Sequence, residues 1–123
     1  MIKKKNILIT GGAGFIGSNL AETLSKNGHN VVSIDDYSFG KKENEHDNVK
    51  YIKNDIEKIS YVDESIDVCY HLAAKARVQP SFDDPVDYFR VNVKGTMKVM
   101  EWAKKNDVKV VYAGSSSKHF SPE

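Results

Sequence analysis

The sequence has one cysteine, almost no net charge and no long apolar run. A single cysteine excludes an internal disulfide, and no Cys/His cluster stands at metal-ligand spacing. The apolar surroundings of Cys69 favour a packed thiol over a nucleophile. A formal net charge of +1 leaves no global field to draw the chain to nucleic acid or an anionic membrane. Lys3, Lys4 and Lys5 read as the solvated flank of a strand. Behind them the apolar run is only Ile7, Leu8 and Ile9, too short for a signal peptide or a bilayer span. The expectation is a cytoplasmic protein with neither a membrane nor a nucleic-acid partner. No internal repeat, low-complexity tract or linker divides the 123 residues, which suit one domain.

What is present is an alternation of strand and helix patterns. Asn6 to Thr10 is a short apolar run that ends in glycines, as a strand buried on both faces does. From Phe15 to Lys26 the apolar residues recur at helical spacing, and Asn27-Gly28 supplies a stop. Val31 to Ile34 predicts a second strand, closed by Asp35-Asp36, and Phe39 to Asn48 reads as a loop. Val49 to Ile52 predicts a third strand. Asp55 to Ser65 holds one or two helical turns, and Ile66 to His71 is a fourth strand. Pro85 opens a helix whose broad stripe of Val86, Phe89, Val93, Met97, Met100 and Trp102 runs to about Lys105. Lys109 to Ala113 is a fifth strand. The alternation implies an α/β, doubly wound parallel sheet of Rossmann type in the order 3-2-1-4-5. Ligands on such sheets lie at the carboxyl ends of the strands, near the switch between strands 1 and 4.

The first strand runs directly into Gly11, Gly14 and Gly17, a G-x-x-G-x-x-G spacing with Gly12 as a further small residue. Here the chain turns sharply from strand to helix, and side chains would obstruct a charged ligand. The helix start offers free N–H groups and a positive dipole end. Spaced glycines alone are a weak signal. These follow a strand, open a helix and precede a second strand ending in Asp35, so they read as a pyrophosphate-binding turn for a dinucleotide. Asp35 stands 18 positions beyond Gly17. A carboxylate there can accept from the adenosine ribose hydroxyls and would repel a 2′-phosphate, which favours NAD over NADP. Asp36 leaves the choice of acid ambiguous, and Lys41 and Lys42 could meet a 2′-phosphate.

The turn Thr10-Gly-Gly-Ala-Gly-Phe-Ile-Gly17 resembles that of the extended short-chain dehydrogenase/reductase family, the NAD-dependent sugar epimerases and dehydratases. Asn54-Asp55-Ile56, His71-Leu-Ala-Ala74, Asn92-Val-Lys-Gly-Thr96 and Tyr112-Ala-Gly-Ser-Ser-Ser117 match it in the same order. By that resemblance Phe15 and Ile16 lie along the pyrophosphate. Asp35, Asp36, Tyr37, Ser38 and Gly40 surround the adenosine ribose, and Asp55 and Ile56 hold the adenine. Leu72, Ala73, Ala74 and Lys75 line the path to the nicotinamide, and Asn92 fixes that end. Each has a structural alternative: Asp55 could cap a turn, the alanines could be core, and Asn92 could bridge buried backbone. Ser115 falls at the family's catalytic Ser/Thr, with Ser116 a neighbouring substrate contact. His119-Phe120 departs from the Tyr-Gly that commonly follows. Ser81, in the segment 77–84, is a candidate contact to the sugar nucleotide, or part of a loop capped ahead of the helix.

The resemblance also implies a Tyr-x-x-x-Lys base, in which the lysine lowers the tyrosine pKa. No such pair follows the serines before Glu123. Tyr37-Ser-Phe-Gly-Lys41 has the spacing but stands on the adenosine side and reads as coincidence. The expectation is therefore the NAD-binding portion of a nucleotide-sugar epimerase or dehydratase, truncated and inactive alone, with dimers packed through the helix from Pro85. A non-catalytic NAD-binding regulatory protein and an NADP-dependent reductase are the alternatives.

Overall fold

The structure is a computed structural model and describes residues 3–38, 40–73, 86 and 90–112. Five short apolar runs become strands: β1 (Asn6–Thr10), β2 (Asn30–Asp35), β3 (Val49–Lys53), β4 (Val68–His71) and β5 (Lys109–Tyr112). They form one sheet in the order β3-β2-β1-β4-β5, and every pairing is parallel. This is the order read from the sequence.

The two-residue period of the strands sorts their side chains onto two faces. Ile7, Ile9, Val31 and Val49 pack with Ala21 of α1 (Phe15–Lys26). Leu8, Val32, Ile34 and Cys69 pack on the other face with Val99, Trp102 and Ala103 of α2 (Thr96–Asn106). Burying one side chain as completely as Leu8, which has no exposed surface, contributes on the order of 2 kcal/mol. Cys69 is likewise sealed, and burial pushes its thiol pKa up to about 12, so it is a core residue without nucleophilic character. The predicted stop after α1 holds: Gly28 takes φ +93°, and His29 N–H donates to Leu24 O at 3.2 Å.

The arm leading into α2 differs from the regular helix expected. Among the described residues, Arg90–Gly95 form a π-type turn, and regular α-helix begins only at Thr96. A Cβ on Gly95 would lie 2.7 Å from Ile56 Cγ2, so the wide turn and the missing side chain together admit Ile56 to the core. Of the broad stripe read from the sequence, Trp102 is buried. Val99, Trp102 and Ala103 face inward, whereas Val93, Met97 and Met100 are exposed. The segment after β3 is a kinked 3-10 helix, Ile56–Tyr61, and the loop after β2 carries one 3-10 turn, Lys42–Asn44. Among the described residues no helix is long and apolar enough to cross a membrane.

Candidate functional site

The carboxyl ends of β1, β2 and β4 meet where the strand order reverses, and the turn from Gly11 to Gly17 leaves from the central one. Gly11 takes φ +80°, and its N–H donates to Ile34 O at 2.8 Å, tying the turn to β2. Packing alone accounts for Gly17: a Cβ there would stand 2.2 Å from Gly11 O and 2.9 Å from Gly12 Cα. Gly14 is different. Among the described residues its Cβ would meet only Gly11 O at 3.5 Å, an ordinary contact, so none of them forbids a side chain. Gly14 is the N-cap of α1, with no side-chain cap and no acidic residue in the first turn. The N–H groups and dipole end of the helix could therefore receive an anion. Phe15 and Ile16, 80% and 70% exposed, flank that opening, an unusual cost for large apolar side chains.

Asp35 ends β2 beneath this turn. Its Oδ2 accepts from Ala13 N–H at 3.0 Å and its Oδ1 from Tyr37 N–H at 2.8 Å. Burial raises its pKa, while these two bonds oppose the rise and the neighbouring Asp36 adds to it. A Cβ on Gly40 would crowd Asp35 Oδ2 at 2.8 Å and Ala13 Cβ at 2.9 Å. The loop also grips Ala13 O through Lys41 N–H and Asn44 Nδ2. Asp35 thus joins the glycine turn to the loop after β2. Asp36 is exposed and its Oδ1 accepts from the Ser38 N–H and hydroxyl. Tyr37 sits at φ +64° and donates to Glu45 Oε2 at 2.5 Å. Burial and that bond raise its pKa, the opposite of what a phenolate base requires, so pairing Tyr37 with Lys41 as a catalytic couple has no support.

Asp55 caps the 3-10 segment through Glu57 N–H at 2.9 Å, the structural alternative read from the sequence. Its other oxygen lies 2.5 Å from Arg90 Nη1. Ile56 is buried in the core against Gly95. Leu72 and Ala73 are half-buried just past β4, and Asn92 is half-buried and held by contacts within the protein. Ala74, Lys75, Ser81, Ser115 and Ser116 lie outside the described residues, as does Pro85.

A buried polar chain at the β1–β4 junction involves residues that the sequence alone does not single out. Thr10 and His71 are register partners. Thr10 Oγ1 lies 2.7 Å from His71 Nδ1 and accepts from Leu72 N–H at 2.9 Å and Ala73 N–H at 3.1 Å. A hydroxyl has one proton and two acceptor positions. Both acceptor positions are taken, so the Thr10 proton goes to Nδ1. The ring then carries its proton on Nε2 and donates it to Thr96 Oγ1 at 2.8 Å. Burial lowers the His71 pKa to about 4, so the ring is neutral. The chain of bonds fixes the backbone of Leu72 and Ala73 against Gly11, where a Cβ would meet Ala73 N at 3.1 Å. The signal available in the sequence was a threonine and a histidine each ending a strand; their adjacency needed the strand order.

Comparison with known proteins agrees with this geometry. The family model for the NAD dependent epimerase/dehydratase family matches residues 7–122. UDP-glucuronic acid decarboxylase 1 of Danio rerio is 34% identical over 98% of this chain and 29% of its own length. An epimerase from Methanothermobacter thermautotrophicus superposes with a TM-score of 0.88 at 36% identity, covering 97% of this chain and 38% of that one. The UDP-glucose 4-epimerase of Thermus thermophilus, solved with NAD, gives a TM-score of 0.82 at 34% identity, over 89% and 37%. The chain spans about a third of the length of the relatives it matches. A five-stranded parallel sheet in Rossmann order, a glycine turn opening α1, and a family match over nearly all its residues lead to one assignment: the chain belongs to the NAD dependent epimerase/dehydratase family.

Proposed function

We propose that residues 1–123 supply the NAD(H)-binding part of an enzyme acting on a nucleotide sugar. Gly14 carries the reading: the described residues leave room for a side chain there, and a pyrophosphate at the helix start would be the reason to have none. Gly11, Gly14 and Gly17 would receive the pyrophosphate, with Phe15 and Ile16 along it. Asp35 and the residues Asp36, Tyr37, Ser38 and Gly40 would surround the ribose, where the buried carboxylate disfavours a 2′-phosphate. Asp55 and Ile56 would hold the adenine edge. Leu72, Ala73, Ala74, Lys75 and Asn92 would flank the nicotinamide.

When bound, NAD would supply the hydride acceptor for a sugar carbon. Ser115 would contact the reacting hydroxyl, and Ser81 and Ser116 would hold the sugar nucleotide. These activities belong to the whole protein, and the exposed Val93, Met97 and Met100 of the α2 arm suit a homodimer contact. The test is calorimetric titration of NAD and NADP into the wild type and Gly14→Ala. Expected are a preference for NAD of at least about tenfold, and a loss of about tenfold or more on adding the methyl, with the melting temperature nearly unchanged. Tighter binding of NADP, or full affinity in Gly14→Ala, would overturn the reading.

A further inference from the structure

The adenosine side of the sheet and the α2 arm come from different halves of the fold, and one side chain joins them. Arg90, first residue of the π-type turn, places Nη1 2.5 Å from Asp55 Oδ2 and 2.9 Å from Glu57 Oε2. The three side chains are each between a quarter and a third exposed, so they stand at the rim rather than in the core. Asp55 is thereby held at two points, Oδ1 by Glu57 N–H and Oδ2 by the guanidinium. Two contacts on different oxygens fix the plane of a carboxylate and the direction of its remaining lone pairs. The same positive charge separates Asp55 from Glu57, whose carboxylates would otherwise repel across the first turn of the 3-10 segment. Behind Asp55, Ile56 is locked by its contact with Gly95, five residues beyond Arg90 on the same turn.

We propose that Arg90 is a positioning residue for adenine recognition: it holds Asp55 oriented as an acceptor for the exocyclic amine of the cofactor. The proposal rests on the reading above that Asp55 meets the adenine. Arg90 itself need not touch the ligand. Its effect is on which base is accepted, more than on how tightly any dinucleotide binds.

The probe is nicotinamide hypoxanthine dinucleotide, which carries a carbonyl oxygen where NAD has the amine. An oriented carboxylate faces a donor in NAD and another acceptor in the analogue. Calorimetry on the full-length wild type should show NAD favoured by about tenfold, the worth of one charge-assisted hydrogen bond at a partly exposed site. In Arg90→Ala the preference should fall to within about twofold of none, and Arg90→Lys, a point charge without the fork, should be intermediate. A fall in affinity for both dinucleotides by the same factor, with the preference intact, would mean a merely structural Arg90 and overturns the proposal alone. A wild type with no preference would overturn the adenine reading and the proposal together. Should Arg90→Ala fail to fold, Arg90→Lys and Glu57→Gln decide: the first must lose preference and the second must keep most of it.

Discussion

Acidification puts the neutral His71 under direct test. The ring is 1% exposed and burial holds its pKa near 4, against an ordinary 6.5. Between those values the unfolded chain binds a proton that the folded chain refuses. The contribution is therefore complete above pH 6.5, diminishes as the pH falls towards 4, and levels off below it. From pH 7.5 to 4.5 the difference amounts to about 2.5 kcal/mol, at 1.36 kcal/mol per unit. That is a large share of the stability of a small domain, about 5–15 kcal/mol. Protonation at Nδ1 would also set an N–H against the Thr10 hydroxyl, whose acceptor positions already serve Leu72 and Ala73. Urea unfolding of the wild type and His71→Gln at the two pH values isolates the group. Other titrating residues contribute equally to both proteins, and the amide side chain does not titrate. The stability advantage of the wild type should shrink by about 2.5 kcal/mol on acidification. Parallel loss in both proteins would refute the reasoning, as would a nitrogen NMR spectrum with the ring proton on Nδ1 at neutral pH.

Two further substitutions probe the turn and the sheet beneath it. Gly17→Ala should destabilise by about 2 kcal/mol or more, because the new methyl meets backbone at 2.2 Å and neither partner can swing away; a melting temperature equal to wild type would contradict that packing. Ser33 is fully buried, and among the described residues its hydroxyl has no hydrogen-bond partner. Ser33→Ala should be neutral or stabilising by up to about 1 kcal/mol in chemical denaturation, and a clear loss would mean that the hydroxyl is satisfied by an ordered water.

Much of this protein was legible in the chain itself. Apolar runs of four to six residues separated by turns and helical spacings marked the strands and their parallel arrangement, most clearly in β1 and β2, which are buried on both faces. The glycine spacing, followed at a set distance by Asp35, marked the turn because a close backbone approach tolerates few residue types. Cys69 read correctly as a core thiol. The inward face of α2 was legible only in part: Trp102 is buried as its place in the stripe suggested, but the stripe was broad, and Met97 and Met100 on the same regular helix lie exposed.

Only the tertiary structure decided that packing requires the glycine at position 17, as the answer depends on atoms from Gly11 and Gly12 standing over it. It also decided the partners of Asp55, Thr10 and His71. Arg90 lies 35 residues from Asp55, and His71 lies 61 from Thr10. No local propensity encodes such pairs. They arise because a parallel sheet brings strands distant in sequence side by side, and hydrogen bonds and charges act on distance in space.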